Sequence, residues 1–314
     1  MNKIRAFINK PNIILLHWNA KGYFNHLPDS IVVPLLWRGV FGQKLNLKNP
    51  TTFNEKLQWL KLYDQNPMHT LMADKCEAKK VIAELVGEEY VIPTLGVWDS
   101  FDEIDFSSLP NQFVLKTTHD SGGVFICNDK NTFDVEKARK KLEPRLKQSY
   151  YLRNREWVYK DIKPRIIAEQ FMEDASTGEL RDYKFYCFDG IVKALLLATN
   201  RQSKTDELRF DYFDREFHHM KLTNHWHPNA VVTPSKPVQF EKMVELAERI
   251  SKGFPHLRID FYEANGKIFV GEFTFYDMAG YLQIHPDEWE TEWGNLINLK
   301  LAYNYEEWKQ KNEK

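Results

Sequence analysis

The sequence predicts an α+β protein with at least two lobes. Three observations carry that reading: strand-like runs paired across short glycine turns at separate places in the chain, helix-period runs between them, and long irregular connections. Its 314 residues suffice for one large or two ordinary domains. Hydrophobic residues make up 43% and charged residues 28%, the balance of a folded chain rather than a disordered one. Lys and Arg number 43 against 44 Asp and Glu, so no global basic field exists to hold a nucleic-acid backbone.

Residues 1 to 110 read as a helical amino-terminal region with a docking arm. In the first fifty, Lys3, Arg5, Lys10, Lys21, Arg38, Lys44 and Lys48 face a single acid, Asp29, among Phe7, Trp18, Tyr23, Phe24 and Trp37. Such an arm suits either a helical docking role with a solvated basic face, the commoner use of a charge run, or a peripheral contact with an anionic membrane. Ile13-Ile14-Leu15-Leu16 is too short to cross a bilayer and no small-residue cleavage site follows, so neither a transmembrane helix nor a signal peptide is expected. Cys76, Cys127 and Cys187 are odd in number and widely spaced, which suits a reducing compartment, the cytoplasm.

Thr51 or Thr52 caps a helix carrying Phe53, Leu57, Leu60 and Leu62, and Asn66-Pro67 interrupts it. A second helical run from Leu71 to Leu85 ends at Gly87, and an irregular link runs from Val91-Ile92-Pro93 to residue 110. From Gln112 the period becomes that of a strand. Phe113 to Thr118, the Asp120-Ser121-Gly122-Gly123 turn and Val124 to Cys127 make a hairpin. A helix from about Thr132 puts Val135, Ala138, Leu142 and Leu146 on one stripe and is loosened at Pro144.

Ile166 to Met172 reads as a strand, followed by the Ser176-Thr177-Gly178 turn. Asp182 to Phe188 and Ile191 to Ala198 pair through Asp189-Gly190. Residues 200 to 235 show little periodicity and read as a long functional loop region. Ser235 caps a helix with Pro237 in its first turn and Phe240, Val244, Ala247 and Ile250 facing the core before Gly253. The aromatic tail after Pro286 reads as helical.

The strongest chemical signal is Arg258-Ile259-Asp260, an Asn265-Gly266 turn, and Glu272-Phe273-Thr274. A two-residue turn would pair Ala264 with Lys267 and set Asp260 and Glu272 on opposite faces. A three-residue Ala264-Asn265-Gly266 loop would pair Glu263 with Lys267 and gather Arg258, Asp260, Glu272 and Thr274 on one face, with the aromatics on the other. The second register is the better one on hydrophobic grounds. Two carboxylates and a neutral oxygen on one face suit Mg²⁺, and Arg258 beside them can hold an anion.

This Arg-x-Asp, turn, Glu-x-Thr hairpin resembles the metal hairpin of ATP-grasp ligases, which usually ends Glu-x-Asn. Other segments fall in that family's order. Asp74-Lys75 resembles the early pair whose lysine reaches nucleotide phosphates, and Phe113 to Lys116 the strand whose lysine contacts the phosphate and base region. Thr117 to Gly123, with Ser121, Gly122 and Gly123 at its end, resembles the glycine-rich loop that closes over phosphates. Ala168 to Met172 resembles the adenine hinge, with Glu169 on the amino group and Gln170 and Met172 alongside. Asp182-Tyr183-Lys184-Phe185 and Asn200-Arg201 resemble the strands that present a charged pair and an arginine to the phosphates. The opening from Thr52 to Lys61 narrows the resemblance to the TupA-like branch, named for teichuronopeptide biosynthesis.

That resemblance implies an ATP-grasp fold in which lobes 111–175 and 176–314 clamp ATP with one or two Mg²⁺ ions. It implies Lys75 and Lys116 as cofactor-binding residues, with Asp260, Glu272 and Thr274 as metal ligands and Arg258, Lys184 and Arg201 as catalytic groups. The shorter Thr274 leaves the second ion open. The implied activity is ATP-dependent ligation of a carboxylate, on a glycan or its precursor, to an amine donor. A glycan kinase, and a glycosyltransferase or glycan-binding protein, are the alternatives. His218, His219, His225 and His227 lack the cysteines or helical spacing of a zinc site and read as a solvated loop. Cys76 reads as a packing residue, and His119 and Asp120 as polar turn residues.

Overall fold

The computed structural model describes residues 12–175, 180–200 and 207–312. The Ser176-Thr177-Gly178 turn, Arg201 and the basic residues Lys3, Arg5 and Lys10 lie outside the described residues. Four strands, β1 (Thr94–Trp98), β2 (Phe113–Thr117), β3 (Val124–Cys127) and β4 (Ile166–Gln170), form an antiparallel sheet in the order β1-β4-β2-β3. Next in the chain come β5 (Asp182–Phe188), β6 (Ile191–Thr199), β7 (Arg209–Phe213), the short β8 (Thr223–Asn224), β9 (Leu257–Ala264), β10 (Lys267–Thr274) and the short β11 (Ile284–His285). Five of them build the second antiparallel sheet, ordered β10-β9-β5-β6-β7, while β8 pairs with β11.

Alternation along β2 divides its work. Phe113 and Leu115 are buried with Ala138 and Leu142 of the helix Val135–Leu146, each contributing roughly 1.5–3 kcal/mol. Val114 and Lys116 point the other way, into the space between the sheets. The second sheet packs Phe185 and Phe261 against Phe240 of the helix Phe240–Ser251.

The helix Phe53–Tyr63 starts with the expected Thr52 cap, reinforced by Glu55 in a capping box worth about 1 kcal/mol. Phe53, Leu57 and Leu60 fill the large core. Its polar residues are buried too. Asn54 bonds the Leu282 carbonyl at 2.5 Å, Gln58 the Gly280 carbonyl at 2.7 Å and Lys61 the Ala279 carbonyl at 2.6 Å. They grip a left-handed turn in which Met278, Ala279 and Gly280 have φ of 47°, 55° and 68°. Two non-glycine residues held there cost roughly 1–3 kcal/mol each, offset by satisfying carbonyls that would otherwise be buried unpaired.

Several local expectations are corrected. The run from Leu71 to Leu85 is two helices, Pro67–Ala73 and Ala78–Leu85, because the Asp74 side chain takes the Cys76 N–H at 2.8 Å and Arg165 at 2.8 Å. The irregular link holds β1, an exposed edge strand without apolar alternation, so the smaller sheet begins ahead of residue 111. The long loop region contains β7, whose buried Asp211 breaks the apolar pattern and is satisfied by His219 at 2.9 Å and the Ala230 N–H at 3.1 Å. Ser235 caps nothing: the helix starts at Phe240, and the Pro237 carbonyl accepts the Phe240 N–H in a preceding turn.

The Arg258–Thr274 hairpin carries the most informative correction. No three-residue loop exists; Asn265 and Gly266, both with positive φ, form a two-residue turn that pairs Ala264 with Lys267. A bulge at Gly271 then shifts the register, so that Glu272 pairs with Asp260 and Thr274 with Arg258. The four residues reach one face by a route the turn alone forbids.

Candidate active site

A cleft of about 360 Å³ lies between the two sheets. Lys75, Lys116, Ser121, Gly122, Gln170 and Met172 line it from the small-lobe side, and Tyr262, Gly271 and Glu272 from the hairpin. A larger hollow of about 710 Å³ opens beyond the same hinge, beside Glu88, Glu89 and the Asn265-Gly266 turn, and contains none of the expected lysines or metal ligands. Of the two, the smaller space holds Lys75, Lys116 and Glu272.

On the small-lobe side the central group is Glu169, only 4% exposed. Lys116 Nζ lies 2.5 Å from one of its oxygens and Lys79 Nζ 2.7 Å from the other. Burial disfavours the charged carboxylate, but the two lysines outweigh it and hold the Glu169 carboxyl below its ordinary value. Lys79 also donates to the Ile92 carbonyl at 2.7 Å. Sequence reasoning missed Lys79, which the fold brings against Glu169.

The glycine-rich segment is not the free lid its composition suggests. Thr117, Thr118, His119 and Asp120 are buried, and only Ser121 and Gly122 are exposed. Asp120 accepts from Thr117 Oγ1 and, at 2.5 Å, from Arg145, while its carbonyl accepts from Lys75 Nζ. Gly123 does not line the cleft. It packs beneath it, where a Cβ would fall 1.7 Å from Thr117 Oγ1. His119 bonds the Arg145 carbonyl at 3.1 Å. These contacts make His119 and Asp120 anchors of the loop.

Facing this, β5 and β9 align Lys184 opposite Asp260. Lys184 Nζ bonds Asp260 and, at 2.6 Å, Asp182. Arg258 holds Asp260 through Nε at 2.7 Å and Nη2 at 2.9 Å, and its Nη1 bonds Asp277. Asp277 also accepts from Tyr186 Oη at 2.7 Å. Burial works against ionised Asp260, yet Arg258 and Lys184 prevail and keep its carboxyl below the usual range. Glu272 has no hydrogen-bond or ion-pair partner among the described residues. Nearby, burial lowers Lys61 to about 8 and raises Glu156 to about 7, each shift opposed by the other's charge.

The donor set fits a divalent cation. Lys184 bonds Asp182 and Asp260, Arg258 bonds Asp260 and Asp277, and Glu272 adds a carboxylate that neither cation bonds. Asp260 and Glu272 stand directly opposite, and Glu272 faces the cleft. The four loop histidines do not converge: His219 is held by Asp211, His227 packs on Phe210, His225 lies against Trp226 and His285, and His218 shares an exposed turn with Asp214 and Glu216.

Two antiparallel sheets closing on a cleft, with Lys116 from one and a carboxylate hairpin from the other, define an ATP-grasp protein. Within that class the chain belongs to the TupA-like ATP-grasp family, which matches residues 55–298. Among solved structures it is similar to the D-alanine–D-alanine ligase of Bacillus anthracis complexed with ATP, at 14% identity over 83% of this chain and 75% of that one, with a TM-score of 0.44. The Helicobacter pylori D-alanine–D-alanine ligase shows 13% identity over 74% and 61% of the chains, TM-score 0.39. The ATP-grasp ligase PsnB complexed with a minimal precursor shows 10% identity over 70% and 60%, also at 0.39. The match thus spans about 60% of the length of PsnB and of the H. pylori ligase. No curated protein matches the chain. No helix among the described residues is long and apolar enough to cross a membrane.

Proposed function

We propose that this protein is an ATP-dependent carboxylate–amine ligase acting on a cell-surface glycan or its precursor. The observation that supports it most is Glu272, paired across the hairpin with Asp260 and lining a cleft whose other wall presents Lys75 and Lys116. In this reading the hinge at Gln170 and Met172 takes the purine, and Lys75, Lys116 and the Ser121-Gly122 tip take the phosphates. Asp260 and Glu272 hold Mg²⁺, with Thr274 one pair further along; the ion neutralises phosphate charge.

A carboxylate oxygen of the glycan, such as that of a uronic acid, attacks the γ-phosphorus as the bond to ADP breaks. The amine then attacks the acyl carbon, inorganic phosphate leaves, and the amine loses a proton. Arg258 would stabilise the negative charge that develops on the acyl group. Positioning and charge neutralisation carry such a transfer, so no protein nucleophile is needed. The reaction takes place in the cytoplasm, in peripheral contact with the inner face of the membrane.

Mass spectrometry of surface polysaccharide from cells with and without the protein tests this. Loss of an amino-acid or amine amide is expected. Loss of a phosphate group instead makes the protein a glycan kinase, and loss of a whole sugar makes it a transferase.

A further inference from the structure

The two amino-terminal helices, Ile13–Ala20 and Asp29–Phe41, close tightly on each other. A Cβ on Gly39 would lie 2.7 Å from Leu16 Cδ2, and Leu15 and Leu16 pack with Phe24, Val32 and Leu36. A surface helix with that inner face should be polar on its outer one. Instead Ile14 and Trp18, one turn apart, are 36% and 40% exposed. Leu27, just ahead of the second helix, and Ile31 in its first turn are 37% and 47% exposed, and Tyr23 between the helices is 70% exposed. Five large apolar side chains on one small helical hairpin are more than scattered exposure accounts for.

Charge supplies the second observation. Lys21 is exposed beside Trp18 and Tyr23, and Arg38 is exposed two turns beyond Ile31 on the same stripe. The single acid of the segment, Asp29, turns inward. It accepts from Tyr151 Oη at 2.5 Å and from Arg155 Nη1 at 3.0 Å, so its charge is spent on the protein. The hairpin's outer side is left apolar and aromatic, with a basic rim and no acid of its own.

We infer that this side docks on an anionic phospholipid surface, seating Trp18 and Tyr23 at the headgroup level while Lys21 and Arg38 meet lipid phosphates. Aromatic rings with one apolar body and one polar edge suit that depth, and basic residues beside them supply the attraction. The inference gives a physical surface to the membrane contact of the proposed function, but it concerns no nucleotide or glycan and is tested without either.

Full-length protein is sedimented with phosphatidylcholine vesicles and with vesicles containing phosphatidylglycerol, at low and high salt. Binding is expected only to the anionic vesicles and should weaken as salt rises. The triple variant Ile14→Ser, Trp18→Ser, Ile31→Ser should bind about tenfold or more weakly with an unchanged melting curve. Should that variant melt early, Lys21→Glu with Arg38→Glu keeps the apolar residues and must also abolish binding. The inference is overturned if the protein ignores anionic vesicles at low salt, or if both variants bind normally. It is likewise overturned if removing residues 1–11 alone abolishes binding, or if the face proves to join two copies that the triple variant separates.

Discussion

Glu272 stands directly across from Asp260, although the turn joining their strands should have put them on opposite faces. One additional residue, Gly271, restores them to the same side. Their surroundings differ sharply. Asp260 is 1% exposed and held by Arg258 and Lys184, whereas Glu272 faces the cleft without such a partner among the described residues.

The two carboxylates should therefore respond differently to neutralisation. Glu272→Gln keeps shape and removes only an unpaired charge, so stability should change by less than about 1 kcal/mol while Mg²⁺-dependent ATP binding is lost. Asp260→Asn removes the carboxylate that Lys184 and Arg258 share, leaving them Asp182 and Asp277, and should cost about 1.5–3 kcal/mol as well. Calorimetric titration of ATP with and without Mg²⁺, beside denaturant melts, separates the cases. Equal stability losses would contradict the unequal pairing.

Gly271 is predicted to tolerate no side chain. A Cβ there would lie 2.5 Å from the Tyr262 ring, which itself lines the cleft. Gly271→Ala should cost about 1–3 kcal/mol and weaken nucleotide binding as the ring moves. In a Tyr262→Ala background the same substitution should be nearly neutral for stability; an additive double mutant would rule the contact out.

Glu169 is the common counter-charge of Lys79 and Lys116, so Glu169→Gln should destabilise by about 3 kcal/mol or more. Adding Lys79→Met to it should recover part of the loss. The pH sign follows from a depressed carboxyl: the contribution of Glu169 is complete above its unfolded value near 4.5 and drains away as pH falls below that. Urea melts of the wild type and the double variant across acid pH give the comparison.

His256 supplies a second pH test. It is buried, with Nδ1 3.0 Å from the Cys187 carbonyl, and burial lowers its pKa to about 4. Folded His256 stays neutral where the unfolded chain would take up a proton near 6.5. Its share of stability is thus full above that value and is lost as pH falls from 6.5 toward 4, by up to about 3 kcal/mol. Its ring resonances should not titrate between about pH 8 and 5, the range over which an ordinary imidazole does; a midpoint near 6.5 would contradict the burial.

The two sheets were legible because Phe113 to Cys127, Asp182 to Ala198 and Arg258 to Thr274 are local hairpins written in alternation and turn residues. The carboxylate face was legible for a different reason, since gathering Ile259, Phe261 and Phe273 inward forces Asp260 and Glu272 outward together. What the sequence could not display was the device. A bulge glycine and an ordinary strand glycine look alike until Tyr262 is seen lying across Gly271. Lys79 and the Arg145–Asp120 anchor were equally hidden, because each joins segments whose proximity only the folded sheets create. Burial of Asn54, Gln58 and Lys61 ran against residue type, and their partners lie more than two hundred positions away.

Those three bonds also bear on when the enzyme can first become competent. The ribosome releases residues 53–63 early, but the turn they clamp, Met278–Gly280, emerges after both sheets. Left-handed residues of this kind do not persist unaided, and Asp277 beside them fixes Arg258. A nascent chain can complete its β-structure while Arg258 still lacks its anchor. The helix Phe53–Tyr63 acts as a latch that waits for the Met278–Gly280 turn, and a chain lacking that helix should fold its sheets yet never arm the guanidinium.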